Sequence, residues 1–376
     1  MIGDVWMTEQ APSGAIGARV RDYRTRLNMS QAKLAHSLGL KSAQIVSQIE
    51  SGQRELKAIE LVKAAEVLMT SAQNLLTDAP LAIPTARWRD KPSSGFEDAE
   101  ARLCLRCERY ALLEEWCDER INRDLPGISF SKERIPKIGE VEKVADEVRI
   151  TMELGGRPAS SLKDTLEEDY GVKVFHDTFE GTALCVSSSF GKAILLNRNN
   201  VRGRRNFSLA HELYHLLAEG IYSEEQHEQE EKHAHIFASS LLIPSSSVIA
   251  HLDAKANDGR ILIRDLVSTA QDFHVSTEAL LWRLCNLQRM GRDAVRGLIG
   301  SDSLKAFEAH SQRKSDIPED LPERFTRLAF EAYRRGKLGK NKLAQFLETT
   351  ASELPSNSDA WDMEVALDEE AEIALA

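Results

Sequence analysis

Apolar residues recur at helical spacing along most of the chain, and they switch to short continuous runs in one stretch only. From Gly14 to Asp78 the spacing predicts about five short helices. The most legible pair lies in SQAKLAHSLGLKSAQIVSQIESG, Ser30 to Gly52. Ser30 is a good N-cap, because its hydroxyl can accept from a backbone N–H that the first turn leaves unpaired. The helix it starts turns Leu34, Ala35 and Leu38 inward. Gly39 ends it, since glycine enters the left-handed region without a Cβ clash. Lys41-Ser42 makes a turn, and a second helix runs through Ile45 or Val46 and Ile49 to Gly52. Two helices across a short turn with glycine predict a helix-turn-helix. Val46 and Ile49 join its core, while Ser42, Ala43, Gln44, Ile45, Ser47 and Gln48 face outward.

Pro80, Pro84, Pro92 and Gly95 mark residues 79–96 as a linker. Helical spacing returns from Glu97 to about Asn122, and residues 97–140 read as a helical connector. Further helices are predicted over Val141–Leu154 and Ser161–Tyr170. Then come the β-like runs, Val172–Phe175, Ala183–Val186 and Ala193–Leu196, separated by glycine and polar turns. After Asn206 the pattern is helical again almost to the end. The fold class expected is α+β and mostly helical: a five-helix N-terminal domain over 14–78, a domain with a small sheet over 141–290, and a helical C-terminal region over 291–350.

Charge sharpens this division. The chain of 376 residues carries a formal charge of −11, so it is no polycation that coats nucleic acid. Residues 14–78 nevertheless hold nine Lys/Arg against six Asp/Glu. Residues 351–376 hold eight acids and no base, and such a tail is expected to be mobile. No stretch reaches the roughly 20 apolar residues that span a bilayer. The opening MIGDVWMTEQ lacks the basic flank and apolar run of a secretory signal. Five cysteines, an odd and sparse set, do not suit a disulfide framework. A cytoplasmic protein without membrane contact is the expectation. Cys104-Leu-Arg-Cys107 is a lone CxxC inside a helical pattern and reads as part of a half-buried helix face.

The segment with the most chemistry is NFSLAHELYHLLAEG, residues 206–220, with HExxH as His211-Glu212-Leu213-Tyr214-His215. Residues i and i+4 share a helix face, so both imidazoles can bind one ion, and Glu212 beside them can take a proton from water. Ile221 occupies the place of a third metzincin histidine, which excludes that pattern. A second helix, Glu228 to Leu242, offers carboxylates for the third ligand. Zinc is the expected ion, with manganese or iron as alternatives for a His₂Glu site.

These motifs carry two resemblances. Arg24, Ser30-Gln31, Leu34-Ala35, Leu38-Gly39, Ser47-Gln-Ile-Glu50 and Gly52 resemble the Xre/Cro-type helix-turn-helix family. The resemblance implies a second helix lying in the major groove. There Gln44, Ser47 and Gln48 would reach base edges, with Ser42 on the same DNA-binding face, and Gln31, Lys41 and Arg54 would meet phosphates. Val144 to Pro244 resembles the ImmA/IrrE metallopeptidases, through Ala145–Arg149, Tyr170–Val174, Ile194–Asn197, Arg205–His215 and Glu231–Pro244. That resemblance implies a zincin-like domain, with His211, His215 and Glu231 as ligands and Glu212 as the catalytic base. Fusion to an Xre-type module is common in that family. Two positions depart from it: Tyr214 stands where glycine is usual, and His235 where Asn or Asp is usual, a place from which it could orient a ligand. The substrate implied is a repressor of the Xre type, cut to relieve repression in a stress or mobile-element response. Operator DNA would be the other partner, and a homodimer would hold two half-sites. The rival readings are a metal-stabilised regulator without protease activity and one half of a toxin–antitoxin or phage-control pair.

Overall fold

The structure is a computed structural model of the chain, and it describes residues 13–27, 29–68, 70, 72–76, 86–89, 96–130, 134–257, 260–311 and 317–354. Most of the tail over 351–376, and most of the linker over 79–96, lie outside the described residues.

Five helices open the fold as the apolar spacing predicts: α1 (Ser13–Arg26), α2 (Gln31–Leu38), α3 (Ala43–Glu50), α4 (Ala58–Val67) and α5 (Ala72–Leu76). The Ser30 hydroxyl accepts from the Lys33 N–H at 3.1 Å, and Gly39 leaves α2 at a φ of 71°. Gly17 lets α1 press directly on α3, because a Cβ there would sit 2.0 Å from the Ile49 carbonyl oxygen. Val20, Tyr23, Leu34, Leu38, Val46, Leu68 and Leu75 fill the core of this module. Burial of Ala35 and Leu38 on α2 and of Val46 and Ile49 on α3 locks the angle between the two helices.

Next come β1 (Arg87–Arg89), α6 (Phe96–Cys117) and α7 (Ile138–Thr151). The helix expected over Ser161–Tyr170 forms over residues 162–169, after a 3₁₀ turn at Pro158–Ser160: one turn of α8 (Leu162–Asp164) widens directly into a π turn at Thr165–Asp169, where consecutive Leu166 and Glu167 both face inward. Strands β2 (Lys173–Asp177), β3 (Ala183–Ser188) and β4 (Gly191–Asn197) follow, and the sheet has the order β1-β3-β4-β2. The pairing of β2 with β4 is parallel, Phe175 opposite Leu195; β3 runs antiparallel to β4, and β1 antiparallel to β3. Their continuous apolar runs fit strands covered on both faces.

Strand β1 lies within the stretch expected to be only linker. Two of its three residues are arginine, so it leaves no apolar signal. Trp88 holds it, buried between Phe96 and Phe179, with its indole N–H donating to Glu100 at 2.6 Å.

Helices α9 (Arg202–Leu217) and α10 (His227–Leu242) pack together over the sheet and α7. They are followed by α11 (Ser245–Asp253), α12 (Ile263–Asp272), α13 (Thr277–Asn286), α14 (Arg292–Ile299), α15 (Asp302–Ser311), α16 (Glu323–Arg334) and α17 (Lys340–Phe346). One core joins α7, the strands and α9 to α15. Seventeen α-helices and four strands among the described residues make the molecule the mostly helical α+β protein that was expected.

Chain contacts divide the molecule into two compact units: residues up to 111 with 120–320, and residues 112–119 with those from 321 on. In the first, Tyr23, Thr70 and Asn74 all donate to one oxygen of Glu108 on α6, which seats the N-terminal module on that helix. In the second, Arg324 and Glu114 form a buried ion pair at 2.7 Å, and the rings of Trp116 and Phe346 lie 6.1 Å apart.

Glu167 gives a test of the packing. It is buried, one of its oxygens has no partner, and its ion pair with Lys163 spans 3.0 Å. Burial pushes its carboxyl up to about 7. The folded state therefore holds this proton more tightly than the unfolded chain, and stability is lost as pH rises from the ordinary carboxylate range through 7. Glu167→Gln, measured by denaturant unfolding at pH 5 and pH 8, should gain on the parent at the higher pH by up to about 3 kcal/mol. A gap that does not change with pH contradicts this account.

Candidate metal centre and nucleic-acid face

Helix α9 turns Leu209, Leu213 and Leu216 into the core, and the same helix buries His211, Glu212 and His215. Burying three ionisable groups on one helix is unfavourable unless each has a partner. The two imidazoles find theirs on α10, which lies alongside with Ala234, Phe237, Ala238 and Leu241 buried. The Nε2 atoms of His211 and His215 are 3.2 Å apart. One oxygen of Glu231 is 3.2 Å from the first, and the other is 3.1 Å from the second. Among the described residues, these three form the group of donors close enough to share an ion.

The spacing fits a small divalent metal. Donors at the corners of a tetrahedron, each about 2.0–2.1 Å from zinc, lie about 3.3–3.4 Å apart. Two imidazoles and a carboxylate are also a ligand set that zinc accepts.

The electrostatics are those of a closed, polar pocket. Burial pulls the His211 imidazole down to about 4. Burial acts the same way on His215, but its hydrogen bonds to Glu230 and Glu231 outweigh it and hold the ring up at about 9. Glu231 is partly buried, which raises it, yet bonds to both imidazoles keep its carboxyl well below the usual range. Glu212 is fully buried, and burial pushes it up to about 7. Neither of its oxygens meets a nitrogen or oxygen donor; the thiol of Cys185 on β3 is the group set against it. Cys185 reads from the sequence as a core residue only, and nothing in the spacing of β3 points it at Glu212.

His235 lies outside the donor group. It is exposed, its ring 5.6 Å from that of His211 and 5.0 Å from that of Phe207. Tyr214 is fully buried, and its hydroxyl lies 2.5 Å from that of Tyr222, which in turn lies 2.7 Å from His233 Nδ1. His233 falls in a stretch that reads as solvated, but this chain of hydroxyls draws it inside. Cys104 and Cys107 are in no disulfide, and they lie on α6 as their helical pattern suggests.

On the N-terminal module, Lys41, Ser42, Gln44, Ser47 and Gln48 are exposed along the start and outer face of α3. Gln31 donates to Glu50 at 2.8 Å, beside the Arg24–Glu50 ion pair. Arg54 donates to Glu60 at 2.7 Å. To meet a phosphate, Gln31 or Arg54 would have to give up its carboxylate partner.

A helix-turn-helix module and a pair of helices that converge on a metal-competent trio define the class: a regulator-type domain fused to a zincin-like one. Comparison with known families agrees. Residues 20–73 match the helix-turn-helix family, and residues 167–284 match the IrrE N-terminal-like domain, a peptidase family. The chain thus joins an Xre-type helix-turn-helix domain to an IrrE-type peptidase domain. Comparison with curated proteins finds no match. Among solved structures, a Mycobacterium tuberculosis transcriptional regulator is 17% identical with a TM-score of 0.30, covering 50% of this chain and 54% of its own. The apo form of the competence regulator ComR from Streptococcus vestibularis is 13% identical over 95% of this chain and 99% of its own, with a TM-score of 0.17. Bacillus thuringiensis PlcR in complex with the peptide PapR7 and DNA is 12% identical over 96% and 100%, with a TM-score of 0.17. Similarity at this level carries no functional argument. Among the described residues, no single helix is long and apolar enough to cross a membrane.

Metal analysis of the purified protein tests the donor set. The parent should retain zinc through gel filtration; His211→Ala, His215→Ala and Glu231→Gln should each lose most of it, whereas His235→Ala should keep it. Loss in His235→Ala equal to that in Glu231→Gln contradicts the assignment.

Proposed function

We propose that the chain is a zinc-dependent endopeptidase carrying its own DNA-binding module, and that it cleaves an Xre-type repressor in the cytoplasm to relieve transcriptional repression. The observation that carries this reading is the placement of Glu212. Its carboxylate is shut away from solvent beside the two imidazoles and Glu231, with no nitrogen or oxygen donor engaged.

His211, His215 and Glu231 would hold the ion. Zinc bound there would polarise the scissile carbonyl and acidify a water. Glu212 takes a proton from the attacking water and delivers it to the amide nitrogen that leaves. The apolar residues of α9 and α10 and the strands behind them keep bulk water from Glu212, so the proton it holds goes to the substrate. Two imidazoles with one carboxylate also form a set that holds iron(II), so the donor types alone do not choose the ion; zinc is proposed for its use of three protein ligands with an open fourth position in hydrolytic sites, with manganese or iron as alternatives.

The DNA-binding part of the reading rests on the helix-turn-helix match and the exposed polar side chains of α3. Gln44, Ser47 and Gln48 would read base edges, with Lys41 on the backbone. The module would carry the peptidase to operators that the repressor also occupies. A dimer would place two such helices on successive major grooves.

A regulator in which the metal only braces the fold would need no carboxylate at position 212. Glu212→Gln, co-expressed with the candidate repressor, separates the two readings. The variant should retain zinc and lose at least about a hundredfold in cleavage rate. Cleavage at the parent's rate removes Glu212 from the mechanism.

A further inference from the structure

Behind His215, on the side away from Glu231, lies a second carboxylate. His215 Nδ1 is 3.1 Å from Glu230 Oε1, and both side chains are almost fully buried. Glu230 is itself held by the Arg87 guanidinium, which donates to the same oxygen. Arg87 belongs to β1, some 80 residues before the region that matches the peptidase family.

The geometry decides what Glu230 does. It meets Nδ1, whereas His211 and Glu231 meet Nε2. It therefore stands outside the donor group and cannot replace Glu231 in it. A carboxylate on Nδ1 fixes the tautomer: the proton stays on Nδ1 as the donor, and the Nε2 lone pair is left to face the other ligands. The negative charge also makes the imidazole a stronger ligand. Glu230 adds a third acid around these imidazoles, next to Glu212 and Glu231, and a buried carboxylate without a cation is costly. Arg87 supplies that cation.

Strand β1 is built to deliver it. Its register is set by three pairs, Arg87 with Cys185, Trp88 with Leu184 and Arg89 with Ala183. Alternate residues of a strand point to one face. Trp88 points away to its aromatic neighbours, and the two arginines point together toward the helices. Arg87 reaches Glu230 on α10, and Arg89 donates to Ser208 on α9 at 2.9 Å, its guanidinium 5.1 Å from the centre of the Phe207 ring.

We infer that Glu230 and Arg87 are positioning residues for the metal centre: Arg87 clamps Glu230, Glu230 orients His215, and the short strand between the DNA-binding module and α6 completes a site whose ligands lie more than a hundred residues further on. The inference rests on the metal reading of the site. It adds a stretch of chain that a peptidase domain cut at the family boundary would lack.

The test is the zinc affinity of the full chain, read by competition with a chromophoric chelator, for Glu230→Ala, Glu230→Gln, Arg87→Ala and Arg87→Lys. Glu230→Ala should bind zinc about 10- to 100-fold more weakly. Glu230→Gln keeps the shape and an acceptor oxygen, so its loss should be smaller, about 3- to 10-fold. Arg87→Ala should weaken binding, and Arg87→Lys should recover part of the loss because it restores the charge without the fork. Cobalt in place of zinc gives a second readout: its visible bands should shift in Glu230→Ala and Arg87→Ala, a change that a loosened surface strand would not cause. Should the alanine variants fail to fold, Glu230→Gln and Arg87→Lys decide. Parent-like zinc affinity and cobalt spectra in every folded variant overturn the inference. A parent that binds no zinc overturns the metal reading itself.

Discussion

The structure turns on the seating of one helix against another. Helix α9 buries two imidazoles and a carboxylate along one face. Their desolvation would exceed the gain from its leucines unless α10 brought Glu231 to within 3.2 Å of both Nε2 atoms. The apolar contacts of α10 with α9 and α7 hold that distance, and the sheet closes the other side. Loss of packing anywhere in this sandwich would therefore be felt at the centre first, because buried charges tolerate displacement poorly.

That same burial sorts the acids of the site into different roles. Glu231 is half open, with both imidazoles on it, and stays ionised. Glu212, one residue from His211 on α9, is closed off with only a thiol against it, and its carboxyl is held near neutrality. Glu230 sits next to Glu231 in sequence but faces the opposite side of His215, where Arg87 neutralises it. Three chemically identical groups within a small volume are thus separated by environment alone, a recurrent arrangement where proton transfer is needed.

Much of this was legible in the chain and some was not, for physical reasons. Ser30, Gly39 and the apolar spacing around them act locally, so the helix-turn-helix could be read directly. The i, i+4 histidines are also a local pattern, and they point at a shared ion wherever a helix forms. Glu231 as third ligand came with the family resemblance, because Glu228 and Glu230 offer the same chemistry on the same helix. Strand β1 was missed: three residues with two arginines carry no period, and only its tertiary partners make it a strand. Cys185 in a β-run and His233 in an acidic stretch carry no local sign of their contacts, since their neighbours, Glu212 and Tyr222, come from other elements. The π turn at Thr165–Asp169, which ends the expected helix, is likewise set by what it must bury, Leu166 and Glu167 together, and not by propensity.

The most direct test of this account is X-ray absorption spectroscopy at the zinc edge on the purified full chain. Two imidazole nitrogens and a carboxylate oxygen at about 2.0–2.1 Å are predicted, with a light-atom ligand completing the shell. A sulfur scatterer at about 2.3 Å, or a shell without imidazole, would contradict it.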